Sequence, residues 1–242
     1  GRIKGWDVVN EALNEDGTLR QSPWMKIIGE DYIAKAFEYA HEADPTADLY
    51  YNDYSLENPA KRNGCIALVK KLQAQGVNIT AIGTQQHINL EWPAIKLVDE
   101  TLTELGQIGV KVHITELDID VLPRASRDTS ADVSRNVAAN PALNPYTNGL
   151  PDSVQAELAH RYAELFAAYR RHPSVVGRVT FWGVTDADSW LNDWPIRGRT
   201  SYPLLFGHAG NPKRAFDRVI NLLDSTAGDN AVQKSANSKT GS

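Results

Sequence analysis

Two glutamates, Glu11 in GWDVVNE and Glu116 in HITELD, each follow a short apolar run and each is flanked by polar side chains. Asn10 precedes the first and Asp118 follows the second. Asn52, Asp53 and Tyr54, then Gln85 and His87, lie between them, and Trp182 and Trp190 come after. Two carboxyl groups in this company are equipment for breaking a glycosidic bond. One protonates the departing oxygen while the other attacks the anomeric carbon or activates water, so the two need environments that favour opposite protonation states. Tyr and Trp offer flat apolar faces to sugar rings, and the amides of Asn10 and Gln85 offer hydroxyls a donor and an acceptor together. Neither GxGxxG nor GxxxxGK[ST] occurs, so no phosphate cradle competes with this reading.

Each signal alone has a plainer explanation. Asn caps helices and Glu favours the first helical turn, so Asn10-Glu11 also fits the start of a helix. Glu116 fits a solvated charge at a strand end, His87 a half-buried histidine without a task, and Trp182 beside Phe181 an aromatic pair of the core. A metal site built from His87, His113, Glu116 and Asp118 is a further alternative. Strict alternation along KVHITELDID argues against it, because it sends His113 to the face opposite Glu116 and Asp118.

The elements that must position these residues form a regular series. Five β-like segments, 5–11, 47–55, 78–87, 111–120 and 177–186, are apolar and turn polar or aromatic at their C-terminal ends. Their near-continuous apolar character suits parallel strands buried on both faces. Helical patterns lie between them. One runs from Pro23 to Pro45 with Ile27, Ile28, Ile33, Ala36, Phe37 and Ala40 on one face; others cover Pro59 to Gln75 before Gly76, Trp92 to Leu105 before Gly106, and Pro151 to Arg171 before Pro173. A last helix opens at Asn211-Pro212 and turns Phe216, Val219, Ile220 and Leu223 inward. Strand–helix alternation predicts right-handed parallel crossovers, in a barrel or an open sheet. In a barrel, the polar strand ends share the face where such folds place their chemistry.

Residues 123–150 interrupt the series with an Asn-, Ser- and Pro-rich insertion, expected to be loop rather than core, and 226–242 read as a disordered polar tail. With 242 residues, 42% hydrophobic, the chain can bury one large domain over 1–225. The net charge of −5 without a basic cluster argues against a nucleic-acid partner, and no apolar run reaches the length of a membrane span. Cys65, the single cysteine, sits in an apolar stretch as a small hydrophobe and excludes an internal disulfide.

Taken in order, WDVVNEAL, YYNDYSLEN, IGTQQHINL, HITELDID and FWGVTDADSWL closely resemble the glycoside hydrolase family 10 xylanases, over residues 4 to 224. The resemblance implies a (β/α)8 TIM barrel and retaining hydrolysis of β-1,4-xylosidic bonds in xylan, with no metal or organic cofactor. It implies Glu11 as acid/base and Glu116 as nucleophile, and Asn10 as the ligand of the sugar 2-hydroxyl. His87 is implied to hold the nucleophile with Asp118 behind it, while Asn52, Tyr54, Gln85, Trp182 and Trp190 line the cleft. WDVVNE belongs to the fourth barrel strand in that family, so strands 4–8 and their helices are expected here, and 5–11 and 177–186 become open edges prone to self-association. Three functions follow as expectations: a xylanase, a β-1,4-glucanase on the same fold, or a carbohydrate-binding chain without turnover that lacks, or pairs with, an N-terminal barrel half. Secretion or periplasmic export is expected by resemblance.

Overall fold

The computed structural model describes residues 2–124 and 140–222. The elements run β1 (Gly5–Asn10), α1 (Pro23–Ile28), α2 (Asp31–Ala43), β2 (Asp48–Asp53), α3 (Pro59–Ala74), β3 (Ala81–Thr84), β4 (His87–Asn89), α4 (Ile95–Gly106), β5 (Lys111–Asp120), α5 (Asp152–Arg171) and β6 (Val176–Phe181); a final helix covers 214–222. Every pairing of these strands is parallel: β1 with β2, β2 with β3, β3 and β4 with successive stretches of β5, and β5 with β6. The sheet is therefore five strands wide, with helices as the crossovers, as expected for this part of a (β/α)8 barrel.

The helix-facing side of the sheet carries Leu49, Tyr51, Ile82, Val112, Ile114 and Leu117, which pack in one cluster with Phe37, Val69, Leu102 and Leu165 of the helices. This burial is the main driving force for the fold. The central strands β2, β3 and β5 are almost wholly buried, whereas β1 and β6, paired on one side only among the described residues, are partly exposed along their length.

Three local expectations are corrected. The single helix read over 23–45 is two helices, because Gly29 adopts φ 84° between them; Ile27 is consequently 81% exposed, and only Ile33 and Phe37 of the second helix are fully buried. α4 starts at Ile95 rather than Trp92, since the Asn89 carboxamide oxygen accepts from the backbone N–H groups of Glu91 (2.9 Å) and Trp92 (2.7 Å) and holds an Asx turn ahead of it. In the last helix Ile220 faces solvent while Ala215 and Val219 are buried; Leu223 lies outside the described residues.

The described part of the insertion, 140–150, also departs from a simple loop. Tyr146 and Leu150 pack against the core cluster, and the Tyr146 carbonyl accepts from the Tyr202 hydroxyl at 2.7 Å. Residues 125–139 and the expected tail at 226–242 lie outside the described residues. No described helix is long and apolar enough to cross a membrane.

Candidate active site

The C-terminal parts of β1, β2, β3 and β5 bring polar residues to one cluster. The backbone N–H of Glu11 donates to the Asn52 carbonyl (2.8 Å), that of Gln85 to Asp53 (3.0 Å) and that of Glu116 to Gln85 (3.1 Å), which ties the strand ends into one rim. Glu11 itself has φ 55°, and Gln86 has φ 58°. Left-handed backbone at non-glycine residues costs on the order of 1–3 kcal/mol, and it is retained where surrounding contacts overdetermine it.

The position of Glu116 depends on an irregularity in β5. Ile114 pairs with Thr84 and Val179, but Asp118 pairs with His87 and Leu117 with Phe181, so in the stretch after Ile114 β5 carries one residue more than either neighbour. This is a β-bulge. Val112 and Ile114 face the helices before it, Leu117 and Ile119 after it, and the consecutive residues Thr115 and Glu116 both reach Asn52. Alternation therefore fails at this point, and the premise that His113 lies opposite Glu116 and Asp118 is corrected: all three share the inner side. His113 is nonetheless at the far end of the strand, edge-on to the Tyr50 ring and 3.8 Å from Asp48. Among the described residues no group of three His, Cys, Asp or Glu side chains is arranged to hold a metal ion.

Around Glu116 the contacts are dense. Asn52 Nδ2 donates to its Oε1 at 2.9 Å, and His87 Nε2 lies 3.1 Å from its Oε2. The other ring nitrogen of His87 lies 3.0 Å from Asp118 Oδ1, and Trp190 Nε1 donates to Asp118 Oδ2 at 2.7 Å. Both partners of His87 are acceptors, so the ring serves both only as an imidazolium. Burial opposes that charge, but Asp118, by charge and hydrogen bond, and then Glu116 outweigh it and raise the pKa to about 9. Glu116 as a whole is 9% exposed.

Around Glu11 the contacts are fewer. Gln85 Nε2 donates to Glu11 Oε1 (2.9 Å) and to Asn10 Oδ1 (3.2 Å), Asn52 Nδ2 also donates to Asn10 Oδ1 (3.0 Å), and Arg20 Nη1 is 3.8 Å from Glu11 Oε2. The side chain of Glu11 is 32% exposed. A continuous path of hydrogen bonds thus joins the two glutamates through Gln85, Asn10 and Asn52.

Of the residues read from the sequence, Asn10, Glu11, Asn52, Gln85, His87, Glu116, Asp118 and Trp190 come together in this network. Trp182 stands beside it, edge-on to His87 at 6.4 Å between ring centroids and 47% exposed, while its neighbour Phe181 packs with Phe166 in the core. Tyr54 is placed differently from an open cleft wall. It is 2% exposed, with Lys61 Nζ 3.4 Å from its ring centroid, and its hydroxyl meets Arg20. Lys61 is fully buried and pairs with Asp53 at 2.9 Å, so this corner anchors the end of β2.

Sequence reading missed Arg20, Thr115 and Gly83. Gly83 is required by close approach: a Cβ there would lie 2.3 Å from the Asn52 side-chain oxygen, which Thr115 Oγ1 holds at 2.7 Å. Gly83 lies inside IGTQQHINL and Thr115 inside HITELDID, but their residue types suggest no chemistry of their own, and Arg20 lies in none of the quoted motifs.

The profile of glycosyl hydrolase family 10 matches residues 1–222. The chain belongs to that family. It is 45% identical over 224 residues to "Endo-1,4-beta-xylanase A" of Xylanibacter ruminicola, covering 93% of this chain and 61% of that protein. It is 41% identical to "Beta-1,4-xylanase" of Dictyoglomus thermophilum, with 92% and 59% covered. Among solved structures, a GH10 endoxylanase retrieved from sugarcane soil metagenome superposes with a TM-score of 0.90 at 48% identity, covering 92% of this family 10 chain and 64% of that one. The chain thus spans about three fifths of the length of these relatives.

Proposed function

We propose that this family 10 chain carries the catalytic centre of a retaining endo-β-1,4-xylanase, with Glu116 as nucleophile and Glu11 as general acid/base. The observation that carries this assignment is the contrast between the two carboxyls. Glu116 accepts from Asn52 on one oxygen and from a charged His87 on the other, which fixes the orientation of its carboxyl group. Glu11 has one close donor, Gln85, and an accessible side chain.

The reaction is a double displacement. A Glu116 oxygen bonds to the anomeric carbon as the glycosidic bond breaks, and the Glu11 proton passes to the departing oxygen. Glu11 then takes a proton from water, whose oxygen displaces Glu116 from the same carbon. Asn10 accepts both of its protein hydrogen bonds on Oδ1, which leaves its Nδ2 to meet the sugar 2-hydroxyl. Trp182 and Trp190 offer ring faces to xylose units. The relatives are named for xylan, a polymer too large to enter a cell, so action outside the cytoplasm accompanies this reading.

Hydrolysis of an aryl β-xylobioside, followed by ¹H NMR of the first-formed sugar, tests the assignment: the β anomer is expected, and the α anomer would refute retention. A second reading, binding without turnover, is favoured by the placement of Glu11 after β1, which pairs on one side only among the described residues. It predicts calorimetric binding of xylo-oligosaccharides with no product. Comparing xylan with cellulose oligomers separates xylanase from β-1,4-glucanase.

A further inference from the structure

Gln86 lies between two residues that serve the two glutamates, Gln85 on Glu11 and His87 on Glu116. Its left-handed backbone, φ 58°, separates β3 from β4. Its side chain is held deep in the protein at both ends: Nε2 donates to Glu57 Oε1 at 2.9 Å, and Oε1 accepts from the Tyr169 hydroxyl. Its carbonyl accepts from the Asp118 N–H at 3.4 Å.

Glu57, in the turn before α3, is fully buried. Its Oε1 also accepts from Thr84 Oγ1 at 3.4 Å, its backbone carbonyl accepts from Arg62 Nη1 at 3.0 Å, and its Oε2 has no hydrogen-bond partner. Burying a carboxyl is costly unless it is used. None of the hydrogen bonds of Glu57 or Tyr169 is made to Glu11, Glu116 or His87; what the two share is Gln86.

We propose that Glu57 and Tyr169 are positioning residues, which clamp Gln86 in its left-handed conformation and thereby set Gln85 against Glu11 and His87 against Glu116. This rests on the assignment of those glutamates made above. Displacements of about 1 Å at reacting groups can cost on the order of 10²-fold in rate, and one clamp governs the partners of both carboxyls. Only one oxygen of Glu57 is used, as an acceptor. Burial holds the Glu57 carboxyl above the usual carboxylate range, against the pull of its own backbone N–H, Gln86 and Thr84. A glutamine can therefore replace it, its carbonyl accepting from Gln86, whereas a leucine cannot.

The test compares wild type with Glu57→Gln, Glu57→Leu, Gln86→Leu and Tyr169→Phe, by kcat and KM on an aryl β-xylobioside and by the ¹⁵N resonances of the His87 ring. Glu57→Leu and Gln86→Leu should lower kcat about 10²-fold with KM changed about twofold or less, and should shift the His87 resonances; Tyr169→Phe should lower kcat about tenfold. Glu57→Gln should retain both properties. A folded Gln86→Leu protein with wild-type kcat and His87 resonances would overturn the proposal, as would a Glu57→Gln loss equal to that of Glu57→Leu. If the leucine variants do not fold, loss in Tyr169→Phe with retention in Glu57→Gln supports the clamp, and any other combination defeats it. A wild-type protein without hydrolysis refutes the catalytic assignment instead, and the His87 resonances then decide the clamp alone.

Discussion

Glu116, within β5, and Glu11, just after β1, belong to the same sheet in unlike surroundings. Glu116 ends a stretch of β5 flanked on both sides, and its neighbours Asn52, Gln85 and Asp118 are buried. Glu11 follows β1, which pairs with β2 alone among the described residues, and the adjacent Asn10 is exposed. The difference teaches that preorganisation is unevenly distributed. The centre of the described sheet holds the Glu116 carboxyl by its own packing, while Glu11 follows a strand with one partner among the described residues.

Five outcomes would break or sharpen this contrast. Glu116→Gln is expected to lower kcat by at least about 10⁴-fold on every substrate; residual rates equal to wild type would remove Glu116 from the reaction. Glu11→Ala should lose about 10²–10⁴-fold on xylosides with poor leaving groups and much less on those with good ones, and equal losses on both would count against the acid role. Asn52→Ala deletes a donor to Glu116 and to Asn10 and the acceptor of Thr115. It should cost about 10²-fold in kcat and about 2 kcal/mol of stability, read by kinetics and denaturant unfolding.

The fourth outcome concerns pH. The folded pKa of His87, about 9, lies above its ordinary 6.5, so the stabilisation from its charge is complete below about pH 6.5 and is lost as pH rises through 9. The gap in unfolding free energy between wild type and His87→Gln should shrink by about 3 kcal/mol between pH 6 and 9.5; a constant gap would contradict the imidazolium. Smallest is Trp182→Ala. Its exposure at the edge predicts a KM increase of a few-fold, with stability unchanged to within about 0.5 kcal/mol.

Much of this arrangement was legible in the sequence, for physical reasons that also mark where it stopped being so. β5 spans 111–120 as read, because Val112, Ile114, Leu117 and Ile119 supply the apolar side that a strand under helices must bury. The break between α1 and α2 was hidden, since Ile27 and Ile28 continue the helical spacing across Gly29, and only the backbone turn shows that they face water. Asn10, Gln85 and His87 could be placed at the polar rim from the sequence because they lie at the ends of strands. Gly83, Thr115 and Glu57 could not, because each matters through a neighbour distant in the chain: Asn52 for the first two and Gln86 for the third.

The additional residue in β5 amounts to a change of reading frame. Before it the odd-numbered positions His113 and Thr115 look inward; after it the even-numbered Glu116, Asp118 and Asp120 do, while the outward positions stay apolar throughout. Deleting Thr115 would restore a uniform frame in which Glu116 takes the inward place of Thr115 and Leu117 still packs against the helices, but the hydrogen bond from Thr115 to Asn52 would be lost. The extra residue thus lets two consecutive side chains meet one partner: Thr115 donates to the Asn52 side-chain oxygen while Glu116 receives the Asn52 amide.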